Sequence, residues 1–323
     1  MEDALPILGG LVLLVLGGDL LVRGAVRFAE RMGVSPLLIG LTLVGFGTSL
    51  PELMTSLQAA LAGSPGIAVG NAVGSNIANI LLIVGVSALM APVAVGSAAL
   101  RRDGVVMVGA AVLFLLAAWT LGLNRLVGAA FLAGIVAYLI YAWRQESLGT
   151  EGHTAAFEKA EAVEGVRKGL HSATGGLALP LGLALAGLVL VVLGARFLVD
   201  GSVGLARTLG VSETVIGLTI VAVGTSAPEL VTSVVAATKR QSDVALGNVL
   251  GSNIYNLLGI LGLTALVVPV TVPVEIQRFD GPVMLAVSVL LFVFAWTGLR
   301  IGRREGAVLL AGYATYLWWL WPA

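Results

Sequence analysis

Apolar residues in this chain run together over lengths that no soluble helix requires. Val105–Trp119, Leu126–Trp143 and Met284–Trp296 contain no charged residue at all. A helix needs about 20 predominantly apolar residues to cross a bilayer. Hydropathy marks ten such spans, at 4–29, 36–61, 67–90, 104–121, 125–143, 177–207, 213–238, 244–268, 281–298 and 305–321. One long polar stretch, residues 144–175, carries nine charges and divides the spans five and five. Its composition is that of a solvated linker. The pattern predicts an all-α polytopic membrane protein of ten transmembrane helices. The chain then divides into helices 1–5 (residues 1–143), a linker (144–175) and helices 6–10 (176–323).

Composition agrees with this. Hydrophobic residues make up 58% of the 323 residues and charged residues 11%, with a mean hydropathy of +1.01. Soluble domains carry about 25% charged residues. Eighteen basic and eighteen acidic residues balance to zero net charge, which leaves no basic face for a nucleic-acid partner. With no cysteine, disulfides, thiolate metal sites and cysteine nucleophiles are excluded. The two histidines, His153 and His171, both fall in the polar segment, so histidine ligation of an embedded haem is excluded too. Glu2 and Asp3 open the chain where a signal peptide would be basic, so the first apolar run reads as a retained helix.

Lysine and arginine set the expected orientation. Thirteen fall on the side of the 144–175 loop and three (Arg125, Arg207, Arg278) on the other. The positive-inside rule then places that loop in the cytoplasm and both termini outside, in the cytoplasmic membrane. Trp318, Trp319 and Trp321 would anchor the outer end of the last helix.

A shift of 177 residues superimposes the two halves. Gly33–Gly85 on Gly210–Gly262 gives 29 identities in 53 ungapped positions. Five spans is an odd number, so the second half must enter the membrane from the opposite side. Inverted repeats of this kind characterise secondary transporters, whose substrate site lies at the repeat interface near the midplane. Helix 1 carries Asp19 and Arg23 one turn apart, and the equivalent positions in helix 6 are Arg196 and Asp200. Each pair can neutralise itself within its helix, as a structural ion pair or as part of a gate.

Identity is densest in two segments per half. The first reads Gly47-Thr48-Ser49-Leu50-Pro51-Glu52 and returns as Gly224-Thr225-Ser226-Ala227-Pro228-Glu229. Proline has no N–H for the carbonyl four residues back, so the helix should break there and free carbonyl oxygens. Glu52 and Glu229 are the only glutamates far from a membrane surface. A charge at that depth costs at least ~2.5 kcal/mol and marks a functional site. No basic residue in either span can pair with them, which leaves a cation as the natural partner.

The second segment, Gly70-Asn71-Ala72-Val73-Gly74-Ser75-Asn76-Ile77-Ala78-Asn79, returns as Gly247-Asn248-Val249-Leu250-Gly251-Ser252-Asn253-Ile254-Tyr255-Asn256. Ser75 and Asn79 share a helix face, as do Ser252 and Asn256, and oxygen donors of this kind suit hard cations. For Asn71, Asn76, Asn248 and Asn253, helix capping and ion contact are equally open. The glycines at four-residue spacing read as close helix packing. The inventory is two carboxylates, the hydroxyls of Thr48, Ser49, Thr225 and Ser226, two serines, two asparagines and freed carbonyls. Two negative charges balance one Ca²⁺ or two Na⁺, and a third Na⁺ would leave the site positive. About seven oxygens near 2.4 Å would satisfy calcium without water. A shell that holds either load but not both is what antiport requires.

The paired GTSxPE and GNxxGSNIxN segments resemble the two α-repeats of the cation/calcium antiporter superfamily, the sodium/calcium exchangers, and most of all its compact prokaryotic branch. The resemblance implies a core of helices 2, 3, 7 and 8, with helices 1 and 6 sliding across it. It implies ion ligands at Thr48, Ser49, Glu52, Ser75 and Asn79, and at Thr225, Ser226, Glu229, Ser252 and Asn256. Backbone oxygens of Gly45 and Ala222 are implied as well. Na⁺ and Ca²⁺ would be transported substrates with no cofactor, and no bond is made or broken, so no enzyme is expected. Potassium-dependent relatives carry aspartate where this chain has Asn256, which implies potassium-independent exchange. A proton-coupled calcium or divalent-cation exchanger is the nearest alternative, although the glutamate–histidine pair of that branch is missing. An intramembrane enzyme would lack its histidine, cysteine or paired aspartates, and a passive channel would lack the closed carboxylate cage.

Overall fold

The computed structural model describes residues 4–33, 36–96, 100–147, 177–208 and 222–320. Among these, seven helical stretches are long and apolar enough to cross a membrane: Leu5–Met32, Pro65–Met90, Leu100–Thr120, Arg125–Gln145, Ala178–Leu198, Ser242–Val267 and Ile276–Gly298. The expected span at 36–61 is also helical, but it is built in pieces. It comprises α2 (Pro36–Ile39), a π-helical turn (Gly40–Val44), α3 (Gly45–Thr48) and α4 (Leu50–Leu61). Its repeat-equivalent is described from α10 (Ala222–Thr225) into α11 (Ala227–Thr238), and its beginning lies outside the described residues. The last helix, α15 (Arg303–Leu320), carries three charges in its first turn and is less apolar at that end. Of the polar linker, Arg144–Ser147 continue the preceding helix; residues 148–176 lie outside the described residues.

Helix α1 (Ala4–Met32) runs antiparallel against α9 (Ala178–Thr208), both unbroken. Glycines at seven-residue spacing let their backbones meet. A Cβ at Gly10 would lie 2.7 Å from the carbonyl oxygen of Gly194, and one at Gly17 would lie 2.7 Å from the nitrogen of Val191. Any side chain at these points would push the helices apart, so van der Waals contact between backbones holds the pair together. Leu14, Val191 and Ala195 fill the space beside the seam and pack on Ala227 of α11.

The remaining helices enclose the core. The span from α5 (Pro65–Ala78) through a π turn (Asn79–Val84) to α6 (Gly85–Met90) has its counterpart in α12 (Ser242–Ile254), a π turn (Tyr255–Ile260) and α13 (Leu261–Val267). Around these stand α7 (Val105–Thr120), α8 (Arg125–Ser147) and α14 (Gly281–Gly298). A π turn precedes α7 and another precedes α14. In the first, buried Asp103 accepts from the Tyr138 hydroxyl at 2.9 Å and from Arg102; in the second, Asp280 accepts from Tyr316 at 2.8 Å.

Among the described residues, strand is confined to short bridges between the halves. β1 (Val93–Ala94) pairs antiparallel with β2 (Arg300–Ile301), and Leu123 bridges Val270. The main-chain bonds Val95 N to Leu299 O (2.8 Å) and Val270 N to Leu123 O (2.9 Å) close them.

Candidate ion-binding site

Both GTSxPE segments interrupt their helix by a single residue, not by the unwound stretch that glycine and proline would suggest. Ser49 has φ −84°, ψ 6° and Ser226 has φ −86°, ψ 4°, between helices that resume at once. The sequence Ser-x-Pro-Glu has the spacing of a capping box, in which serine and glutamate would satisfy the new helix's first N–H groups. Neither serine caps its own helix. Each reaches instead across the interface: the Ser49 hydroxyl donates to Glu229 Oε1 at 2.9 Å, and the Ser226 hydroxyl contacts Glu52 Oε1 at 3.3 Å. The glutamates sit in the first turns of α4 and α11, where the positive end of a helix favours a carboxylate.

The second segments close the site from the other side. Ser75 lies 3.2 Å from the Ser226 hydroxyl; Ser252 contacts Glu229 Oε1 at 3.5 Å and the carbonyl of Gly45 at 3.4 Å. Asn79 and Asn256 lie at the starts of the two π turns. Ser49, Glu52, Ser75, Asn79, Ser226, Glu229, Ser252 and Asn256 are all buried, the glutamates to 1% exposure. The structure therefore gathers polar side chains from α4, α5, α11, α12, the two helix breaks and the two π turns into one cluster. The Thr48 hydroxyl contacts Asn248 Oδ1 at 3.1 Å and the carbonyl of Val44, and it also interacts with the Glu229 carboxylate. Thr225 ends α10 and Ala222 begins it, next to the break.

Four buried acceptor atoms in this cluster have no hydrogen-bond partner among the described residues: Glu52 Oε2, Glu229 Oε2, Asn79 Oδ1 and Asn256 Oδ1. They are two repeat-equivalent pairs, 177 residues apart. A buried, unsatisfied polar group costs about 1–3 kcal/mol, and more when charged. Among the described residues, no ion pair involves Glu52 or Glu229, and no cluster of three or more acidic, histidine or cysteine side chains occurs. Carboxylate charge held against neutral oxygens, with acceptors and no donors left over, is the chemistry of a hard-cation site.

A family model described as sodium/calcium exchanger protein matches residues 4–144 and 179–321. The chain belongs to the sodium/calcium exchanger family. It is 40% identical to "Sodium/calcium exchanger MaX1" of Methanosarcina acetivorans, with 97% of each chain covered. It is 35% identical to "Inner membrane protein YrbG" of Escherichia coli, over 97% of this chain and 96% of that one. Among solved structures, the sodium-calcium exchanger NCX_Mj superimposes with a TM-score of 0.83 at 32% identity, covering 98% and 97% of the two chains. The resemblance read from the motifs holds over the whole chain. Members of this family are membrane transporters, not enzymes.

One feature of this exchanger was not legible in its motifs. Asn71 and Asn248, open between capping and ion contact in the sequence, spend their NH₂ groups on bonds between helices. Asn71 Nδ2 donates to the Glu52 carbonyl (3.0 Å) and to Ser56 (2.9 Å); Asn248 Nδ2 donates to the Glu229 carbonyl (3.2 Å) and to Ser233 (2.8 Å). They fix each glutamate-bearing helix to its neighbour by the main chain. Their recurrence, with Ser56 and Ser233, at the 177-residue offset was the available signal. The glycine spacing is realised at Gly251, where a Cβ would lie 2.6 Å from the Leu41 carbonyl. The equivalent neighbour of Gly74, residue 218, lies outside the described residues.

Proposed function

We propose that this exchanger moves Ca²⁺ against Na⁺ by alternating access, with Glu52 and Glu229 as the ligands that carry the charge. The observation that carries the reading is the set of four acceptors, two carboxylate and two amide, buried and without a partner among the described residues. Ser49, Ser75, Ser226 and Ser252 complete the shell with their hydroxyls. Thr48, Thr225, Gly45 and Ala222 contribute further oxygens at the helix breaks; the Thr48 hydroxyl donates to Asn248 Oδ1 and keeps its lone pairs for the ion. Two negative charges match one Ca²⁺, or Na⁺ ions that share the same oxygens, so one load excludes the other.

The architecture that goes with this function is ten helices in two inverted five-helix repeats, residues 1–143 and 176–323, joined by a cytoplasmic linker at 144–175. The contacts that recur at the 177-residue offset support it, as does the expected 13-to-3 distribution of basic residues. The cytoplasmic membrane, with both termini outside, is the location the same distribution favours, and YrbG bears the name of an inner membrane protein.

The test is radiocalcium uptake into proteoliposomes loaded with Na⁺ and diluted into Na⁺-free buffer, with K⁺ and pH gradients imposed separately. Uptake should require internal Na⁺ and ignore K⁺. Uptake that follows the pH gradient would transfer the coupling to protons, and flux without any counter-ion would make the protein a channel. Asn256→Asp should add a third negative charge to the pocket and change the dependence on Na⁺ and K⁺. An unchanged ion profile would remove Asn256 from the determinants of selectivity.

A further inference from the structure

Beyond the ligands, the second segment holds Asn76 and Asn253, each buried to within 2%. They lie one turn before Asn79 and Asn256. Their bonds cross between the halves. Asn79 Nδ2 donates to Asn253 Oδ1 at 3.1 Å, and Asn256 Nδ2 donates to Asn76 Oδ1 at 2.9 Å. Asn76 in turn donates to the main-chain carbonyl of Asn253 at 3.1 Å and faces the sulfur of Met284. Asn253 faces the sulfur of Met107, which is the repeat-equivalent of Met284.

A carboxamide has an oxygen and an NH₂ of nearly equal size on one carbon, so packing alone does not decide which of the two points at the ion. Turned one way, Asn79 offers a cation a lone pair; turned the other way, it offers N–H groups of the wrong sign. In both copies the NH₂ is tied to an acceptor on the opposite half, and the oxygen is the atom left without a partner. Reversal would set amide oxygen against amide oxygen at these distances. The arrangement occurs twice, on residues 177 apart.

We propose that Asn76 and Asn253 are positioning residues of the transport site: each fixes the amide of the ligand asparagine on the other half with its oxygen toward the ion. This rests on the reading of Asn79 and Asn256 as ligands. It assigns a specific cross-pairing, Asn253 to Asn79 and Asn76 to Asn256. It also makes ligand geometry in one half depend on the placement of the other.

The pairing is tested by mutant cycles on the reconstituted exchanger, which read half-saturation by Na⁺ and Ca²⁺ separately from maximal rate. Asn253→Leu removes the acceptor at similar volume. It should raise the half-saturating concentrations by roughly five- to tenfold, the worth of one oriented buried contact, in the wild-type and Asn256→Ala backgrounds. On Asn79→Ala the same substitution should change them by no more than about twofold, because the amide it orients is gone. Asn76→Leu should show the mirror pattern, silent on Asn256→Ala and active on Asn79→Ala. An Asn253→Leu effect that persists undiminished on Asn79→Ala would overturn the proposal, since a general packing defect adds in every background. Should either leucine variant fail to fold, Asn253→Ala and Asn76→Ala carry the same cycle. Wild-type affinities in Asn79→Ala and Asn256→Ala alone would instead remove the ligand reading, whatever the cycles show.

Discussion

The α1–α9 pair and the spans Pro65–Met90 and Ser242–Val267 are all helical and all apolar, yet they are built for different work. Along the apolar stretch of each outer helix only 33% of residues are buried, against 72% and 83% in the two inner spans. The outer helices run unbroken and join through a glycine seam of close backbone contacts. Each inner span is interrupted by a π turn, and together they carry Ser75, Asn79, Ser252 and Asn256 of the site. A smooth apolar seam resists separation while leaving few directional bonds to break when the pair moves as a body. Directional hydrogen bonds hold the inner helices in one register. The contrast suits a moving element against a fixed one.

The largest effect should come from the site that the inner spans close, at the glutamates of α4 and α11. Glu52→Gln and Glu229→Gln each remove a charged ligand while keeping its shape. Each should weaken cation binding by about 3 kcal/mol, roughly a hundredfold, and abolish most exchange. Radiocalcium uptake beside an unchanged size-exclusion profile checks this, and retained uptake in both variants would dissolve the distinction between the regions.

The outer pair should respond differently. Gly17→Leu forces a side chain into backbone contact and should lower stability by about 1–3 kcal/mol, read as a lower melting temperature. Maximal exchange rate should drop with little change in half-saturation by Ca²⁺, the reverse of the pattern expected from Asn253→Leu. Gly9 has no neighbour within 4 Å, so Gly9→Ala should alter stability by no more than about 1 kcal/mol and serves as the control.

The smallest effect belongs to the link between the regions. Asp19 of α1 pairs with Arg23 on its own helix at 2.8 Å and with Lys239, just past the end of α11. The mirrored pair Arg196–Asp200 is looser, at 3.8 Å, and exposed. Partly exposed pairs contribute about 0–1 kcal/mol. Lys239→Met should therefore change the exchange rate by no more than about fivefold and leave ion affinity alone; a large change in affinity would place Lys239 in the site.

Residues whose type is costly in a membrane were readable from the sequence. Glu52 and Glu229 stood out because hydrocarbon penalises charge, and the spans stood out because it rewards apolar runs. The doubled motif pointed to the segments that meet. The π turns did not show, since one extra residue in a hydrogen-bond ladder calls for no particular amino acid. Nor did partner choice. Ser49 has the spacing to cap its own helix, and only the approach of α11 turns its hydroxyl to Glu229. Asn71 and Asn76 are chemically identical and five residues apart; one clamps a main chain and the other faces an amide.

The crossed contacts also bear on ancestry. Gly10 meets Gly194, and Gly17 meets the helix turn that holds Gly187 and Val191, while Gly187 and Gly194 are themselves the counterparts of Gly10 and Gly17. Such a surface is its own complement. Two copies of a single half-length chain, laid head to tail, would already make the seam, both asparagine pairings and both end bridges. A gene encoding only one half could thus have served as an antiparallel homodimer, in which every mutation struck twice. Fusion into one chain would release the two copies to diverge, and the Asp19–Lys239 link, which has alanine at the position equivalent to Lys239, is a place where the two halves differ.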